Sequence, residues 1–199
     1  MIHVDPQPEP SGFDATVRKK GLASFARKGV SLYHPLPPKT TIEPHWRACL
    51  DDLYRSYRGE CAYLGVFFER VTGGGSVDHF VAKSAKPLLV YEWSNYRLAS
   101  SMMNSRKRDY ENVLDPFEIE NGWFQLELVT GYVFPNHELP ATMQSKVRNT
   151  IDRLKLNDFG IREMRTRHYQ GIIDGDYTVA FLKKYSPFVW YEANRQGVL

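Results

Sequence analysis

The chain has 199 residues, 42% of them hydrophobic and 25% charged, with a formal net charge of +3. That length suits one compact domain and argues against a two-domain enzyme, and the composition is that of a folded rather than a disordered chain. The longest apolar stretches, such as Pro87–Tyr91, fall far short of the ~18–20 residues that span a bilayer; two cysteines, with no Cys-x-x-Cys pair, signal neither a disulfide framework nor structural zinc; and so small a charge permits contact with nucleic acid without requiring it.

The first residues, Met1-Ile2-His3-Val4-Asp5-Pro6, carry an acid and a proline where a secretory signal carries basic residues and an apolar run, so a cytoplasmic location is expected. Residues 1–41 mix six prolines with the basic stretches Arg18-Lys19-Lys20 and Arg27-Lys28. They read as an extended arm with one short helix, either packed as a lasso or holding a phosphate or a partner. From Ile42 to Tyr57, the positions Trp46, Leu50, Leu53, Tyr54 and Tyr57 share one helical face, with Pro44 at the start and Gly59 at the stop. Leu64 to Val71 and Ser76 to Val81 are β-prone and flank Gly73-Gly74-Gly75, which predicts a hairpin with a flexible turn. Those glycines lack the lysine and spacing of a phosphate-binding loop.

A loop is expected over Lys83–Ser94, a helix over Ala99–Tyr110 and a short strand over Trp123–Val129. Met143, Val147, Ile151 and Leu154 lie on one helical face behind Pro140, and Ser186-Pro187 suits the cap and first turn of a last helix. No internal repeat or low-complexity tract is present.

The chemistry concentrates in Val77-Asp78-His79-Phe80, then Trp93-Ser94-Asn95, then Asn104-Ser105-Arg106-Lys107. Taken singly, each has an ordinary reading: an exposed Asp-His pair, a turn asparagine at Asn95, a helix cap at Asn104, and a solvated charged face at Arg106-Lys107-Arg108. Taken in order, Asp-His, an asparagine 16 residues after the histidine, another 9 later and a lysine three further on resemble the HNH endonucleases of the His-Me finger, or ββα-metal, group. The stretches Val77–Ser84 and Tyr91–Ala99 are similar to a bacterial HNH subfamily with the pattern V-D-H-F-x-P-K-S followed by Y-E-W-x-N. The resemblance is strongest over residues 60–118, including Asp115-Pro116-Phe117.

Independent chemistry fits these residue types. Phosphodiester hydrolysis needs a base to activate water, and a histidine with an ordinary pKa near ~6.5 is competent at cellular pH, which makes His79 the candidate base. The phosphate and the departing oxygen need a hard cation, and Mg²⁺ or Mn²⁺ takes oxygen ligands that Asp78 and Asn104 carry. The resemblance implies that Asn95 pins the intervening loop, its amide also fixing the imidazole through a carbonyl or side-chain hydrogen bond, and that Arg106, Lys107 and Arg108 meet the nucleic-acid backbone.

The pattern departs from the family in one respect. Many HNH proteins carry two Cys-x-x-Cys pairs around a structural zinc, whereas the corresponding places here read Cys61-Ala62-Tyr63-Leu64 and Ser100-Ser101-Met102-Met103. Three of four thiolates are missing, so no structural zinc is expected, and Leu64, Met102 and Met103 are expected to form an apolar cluster in its stead. The family proline after the histidine is Ala82, a change in loop stiffness. Of the other histidines, His34 and His45 read as surface or helix-face residues and His137 as part of a turn. His168 ends the basic stretch Arg162–His168, either a solvated face or one turned to DNA.

The expected fold is α+β: a ββα-metal motif within a mostly helical single domain spanning residues 1–199, with the motif at 60–118 and a helical extension at 119–199. The expected activity is metal-dependent DNA cleavage. The resemblance further implies the nuclease subunit of an antiphage-defence or mobile-element system, acting with an ATPase of the ABC or SMC type, and no membrane partner. The alternatives are a catalytically inactive HNH-fold binding or assembly module, and an RNase.

Overall fold

The computed structural model describes all 199 residues, Met1–Leu199. A π-helical turn, Asp14–Arg18, runs into α1 (Lys19–Arg27), and a 3₁₀ turn, His45–Cys49, runs into α2 (Leu50–Ser56). Two short strands follow, β1 (Glu60–Cys61) and β2 (Val66–Phe67), then α3 (Arg70–Gly73) and β3 (Gly75–His79). Beyond a loop with two 3₁₀ turns come β4 (Tyr96–Ser100) and α4 (Ser101–Lys107), and then β5 (Phe124–Glu127) and β6 (Tyr132–Pro135). The chain closes with α5 (Ala141–Leu154), α6 (Phe159–Ile173), α7 (Val179–Tyr185) and α8 (Pro187–Arg195). Each of the three sheets is an antiparallel pair. The fold is therefore α+β, and no helix is long and apolar enough to cross a membrane.

The helix expected from Ile42 forms from His45 onward, its first turn tightened to 3₁₀; Leu53 and Tyr57 are buried, and Arg58 and Gly59, both at positive φ, end it. The hairpin expected across the three glycines does not form. Val66–Phe67 instead folds back on Glu60–Cys61, and Gly75–His79 pairs with Tyr96–Ser100. The reason lies at Gly74, which sits at φ +55°, where an added Cβ would come within 2.7 Å of Ser101 Oγ. Its carbonyl accepts hydrogen bonds from the Ser101 amide (2.7 Å) and hydroxyl (2.6 Å). The glycines thus permit a close approach to the start of α4 rather than a turn between strands. The strand β4 was not visible in the pattern because all five of its residues are buried, so no polar-apolar alternation marks it.

The chain groups into two compact units, one of residues 1–5, 60–68 and 112–199, the other of residues 6–59 and 69–111. The expected start of the central segment, residue 60, falls where the chain passes from one unit to the other. In the first unit, α5 starts behind Pro140 and buries Val147, Ile151 and Leu154, as its periodicity predicts, in a core with Phe124, Leu126, Leu182 and Phe188. Pro187 opens α8 as expected, but Ser186 does not cap it: its hydroxyl is buried without a partner.

In the second unit, β3 and β4 pack with α2 and α4. The proline-rich arm is firmly attached: Phe13 is buried edge-on to Trp93 (5.6 Å) and Tyr96 (5.8 Å), and Trp93 Nε1 donates to the Gln7 carbonyl (2.7 Å). Arg18 is engaged by Glu9, Asp14 and Glu92. The arm is therefore packed on this unit, and Arg18 is spent on internal pairing.

Candidate active site

Strand β3, strand β4 and helix α4 follow one another in space as a hairpin with a helix attached, and the candidate residues lie on them or on the loop between the strands. Ser100 makes the corner: it ends β4 and caps α4, its hydroxyl accepting from the Met103 amide (3.4 Å).

His79 is the last residue of β3 and faces Tyr96 across the ladder. Its Nε2 lies 2.9 Å from the Val90 carbonyl, which also accepts a hydrogen bond from Tyr96 Oη (2.8 Å). A carbonyl only accepts, so His79 carries its proton on Nε2 and a lone pair on Nδ1. That Nδ1 is buried and has no partner. The ring is held edge-on by Trp46 (4.7 Å) and Tyr96 (5.0 Å). Burial, reinforced by the positive charge of Lys83, lowers the His79 pKa to about 3 in spite of the Val90 hydrogen bond, so the imidazole is neutral at cellular pH.

Asn95, 4% exposed, holds the loop closed. Its Oδ1 accepts from the Val81 amide (2.8 Å), and its Nδ2 donates to the carbonyls of Val81 (3.1 Å) and Leu89 (3.1 Å). Leu89 is adjacent to Val90, whose carbonyl fixes the imidazole. Asn95 is therefore tied to His79 through the loop backbone and not by a direct bond.

Side chains alternate along a strand, so Ser76 and Asp78 share a face of β3. From α4, Asn104 Nδ2 reaches Ser76 Oγ (3.2 Å) and the Val77 carbonyl (3.5 Å). That contact puts Asn104 on the face that carries Asp78, and it commits the amide nitrogen, so that Oδ1 is the atom with which Asn104 can ligate. Asp78 is buried and pairs in register with Arg97. A carboxylate and an amide oxygen are hard donors that fit Mg²⁺ or Mn²⁺. No three His, Cys, Asp or Glu side chains converge anywhere in the chain, so any cation held here takes most of its shell from water or phosphate.

The three basic residues after Asn104 separate. Lys107, expected to meet phosphate, is fully buried: its Nζ donates to the carbonyls of His79 (3.1 Å), Phe80 and Arg108 (3.4 Å), and it lies 5.0 Å from the centre of the Phe80 ring. Helical spacing turns position 107 inward, where the ammonium supplies the donors that the end of β3 lacks. Arg106 is half-buried and Arg108 exposed. Of the apolar cluster expected in place of zinc, Met103 is buried beside the strands, whereas Met102 is 42% exposed and takes no part.

Three residues around His79 were not singled out by the sequence. Tyr96 shares the Val90 carbonyl with it, Trp46 walls it, and Lys83 lies over the Trp46 ring (5.3 Å). Lys83 and Tyr96 stood within the quoted stretches Val77–Ser84 and Tyr91–Ala99, and Trp46 on a predicted helical face, but nothing in the pattern brought them to His79. His168, in the first unit, is half-buried against Tyr177 (6.3 Å) rather than solvated, and burial lowers its pKa. No protein-family model matches this chain, and no curated protein is found to be similar to it.

Proposed function

We propose that the chain is a metal-dependent endonuclease of the HNH type that hydrolyses DNA phosphodiester bonds. The observation that carries this reading is His79: a neutral imidazole whose proton is fixed on Nε2 by a backbone carbonyl, leaving the Nδ1 lone pair without a partner at the end of a strand that also bears Asp78. A general base needs that arrangement.

In this reading His79 Nδ1 accepts the proton of the attacking water. A water and a phosphodiester against that face would return polar partners to the ring and raise its pKa from the depressed value toward the range of a useful base. Asn95 and Tyr96 position the imidazole through the Val90 segment, and Lys107 holds the carbonyls of His79 and Phe80. Asp78 and Asn104 Oδ1 would hold a divalent cation, which supplies charge stabilisation to the phosphate and the leaving oxygen. Arg106 and Arg108 face the strand. An ATPase partner of the ABC or SMC type, in a defence or mobile-element system, belongs to the same proposal: delivery by another subunit would add to the DNA affinity of a chain whose net charge is only +3.

The test is incubation with supercoiled plasmid in Mg²⁺, Mn²⁺ or EDTA, for the wild type and for His79→Ala. Nicking or linearisation by the wild type, lost in EDTA and in His79→Ala, is the expected result. Absence of cleavage, with the ATPase and ATP supplied as well, favours the inactive module; cleavage of RNA alone favours the RNase.

A further inference from the structure

A groove of about 200 Å³ opens in the second unit between the arm and the loop that follows β3, lined by Pro37, Lys39, Thr40, Lys83, Ser84 and Asp109 among others. We propose that this groove holds the backbone phosphates of the nucleic-acid strand next to the scissile bond, with Lys39 and Lys83 as the two cations that grip it. The proposal rests on the nuclease reading and names where its substrate is held.

Four observations carry it. First, the groove is built and not a gap between loose segments: the Leu36 amide donates to the Ser84 carbonyl (2.8 Å), and the Leu88 amide to the Leu32 carbonyl (3.2 Å), so arm and loop are stitched together on both sides. Second, neither lysine is paired with a carboxylate, whereas the nearby basic residues Arg27 and Lys28 are both engaged by Glu43. Two ammonium groups with no carboxylate to neutralise them, lining one groove, make it favourable to an anion.

Third, Lys39 is held at φ +68°, an unfavourable conformation for a residue with a side chain. The turn that imposes it is fixed by the Thr40 amide (3.1 Å) and hydroxyl (2.7 Å), both donating to the Pro37 carbonyl. That turn sets Lys39 on the lining of the groove at a cost in backbone energy. Fourth, the groove adjoins the candidate base: Lys83 Nζ lies 5.3 Å from the Trp46 ring centre, and the Trp46 ring lies 4.7 Å from that of His79. A strand gripped by Lys83 therefore passes beside His79.

The dimensions select the ligand. The groove is smaller than the ~300–1,000 Å³ of pockets that enclose a whole small molecule, so it is too tight for a nucleotide with its base. A phosphodiester lying across it, with base and sugar outside, meets both lysines and the Ser84 hydroxyl. Asp109 on the rim disfavours a free dianion more than the singly charged phosphodiester.

The experiment is fluorescence anisotropy of a labelled DNA duplex, in EDTA so that no cleavage occurs, with full-length wild type, Lys39→Gln, Lys83→Gln and the control Lys146→Gln, an exposed lysine of the other unit. Affinity is measured at several salt concentrations. Each groove variant is expected to lower the slope of log K against log salt by about 0.9, the value of one phosphate contact, and to weaken binding several-fold at low salt, while Lys146→Gln leaves the slope as in the wild type. Equal slopes for all four proteins, or no measurable binding by the wild type, would overturn the groove. Because binding is read without cleavage, the two proposals fail separately. Plasmid cutting with lysine-independent binding overturns the groove alone, and lysine-dependent binding by a protein that never cuts upholds the groove while the nuclease reading fails.

Discussion

Replacing Asn95 by alanine isolates the loop clamp. The substitution removes three hydrogen bonds, from the Val81 amide and to the carbonyls of Val81 and Leu89. Each is worth about 1 kcal/mol net, and each orphaned backbone group costs about 1–3 kcal/mol when it stays buried. Val81 and Leu89 are only half-buried, so water recovers part of the loss, and the total is about 3 kcal/mol. Urea unfolding followed by tryptophan fluorescence checks this as a fall in midpoint at unchanged slope. Asn95→Asp sharpens the test: it keeps the acceptor for the Val81 amide but turns a carboxylate oxygen toward two carbonyls, so at neutral pH it is expected to be no more stable than Asn95→Ala. A loss below about 1 kcal/mol for Asn95→Ala, or an aspartate variant as stable as the wild type, would refute the clamp and with it the indirect fixing of His79.

Three other outcomes follow from the same structure. His79 stays neutral in the fold with a pKa near 3, whereas in the unfolded chain it titrates near ~6.5; protons therefore favour unfolding as pH falls through that window. Its contribution is full above pH ~6.5 and shrinks by about 2 kcal/mol between pH 7 and pH 5; metal-free unfolding curves should show His79→Gln less acid-sensitive than the wild type by that amount, and equal sensitivity would contradict the buried imidazole. Lys107→Met removes the ammonium beneath the His79 and Phe80 carbonyls and is expected to cost about 2–3 kcal/mol, while the salt dependence of DNA binding keeps its slope; a stable variant with a reduced slope would instead make Lys107 a phosphate contact. Gly131→Ala, at φ +68° and with a Cβ only 2.4 Å from the Arg162 carbonyl oxygen, should lose at least about 2 kcal/mol, and a loss under about 0.5 kcal/mol by denaturant titration would contradict the packing of the β5–β6 turn against α6.

What the sequence made legible was whatever one short window decides. The helices at α2, α5 and α8 follow from apolar spacing and from Pro44, Pro140 and Pro187, since those signals act within a turn or two. Strand pairing was not local. Val66–Phe67 and Gly75–His79 look like neighbours along the chain, yet each pairs elsewhere, because Gly74 was needed for the approach of Ser101 and a fully buried β4 shows no alternation. The candidate site was legible in its composition and not in its wiring. Asp78, His79, Asn95 and Asn104 could be named from their order, but Lys107 reads as one of three basic residues until the helix turns it inward. Trp46 and Lys83, which wall and charge the imidazole, come from segments whose meeting only the tertiary fold decides.

The account's central claim is that His79 acts as base, with Asp78 and Asn104 holding the metal, and single-turnover cleavage of a labelled duplex in Mn²⁺ tests it most directly. Wild type is compared with His79→Ala, Asp78→Ala and Asn104→Ala, each checked for folding by circular dichroism and given the ATPase and ATP if the chain alone is silent. Loss of the base is expected to slow cleavage by at least about 10²-fold in a folded protein, with losses of similar size for both ligands and no rescue by added Mn²⁺ in His79→Ala. A folded His79→Ala that cuts within about threefold of the wild-type rate would contradict the claim.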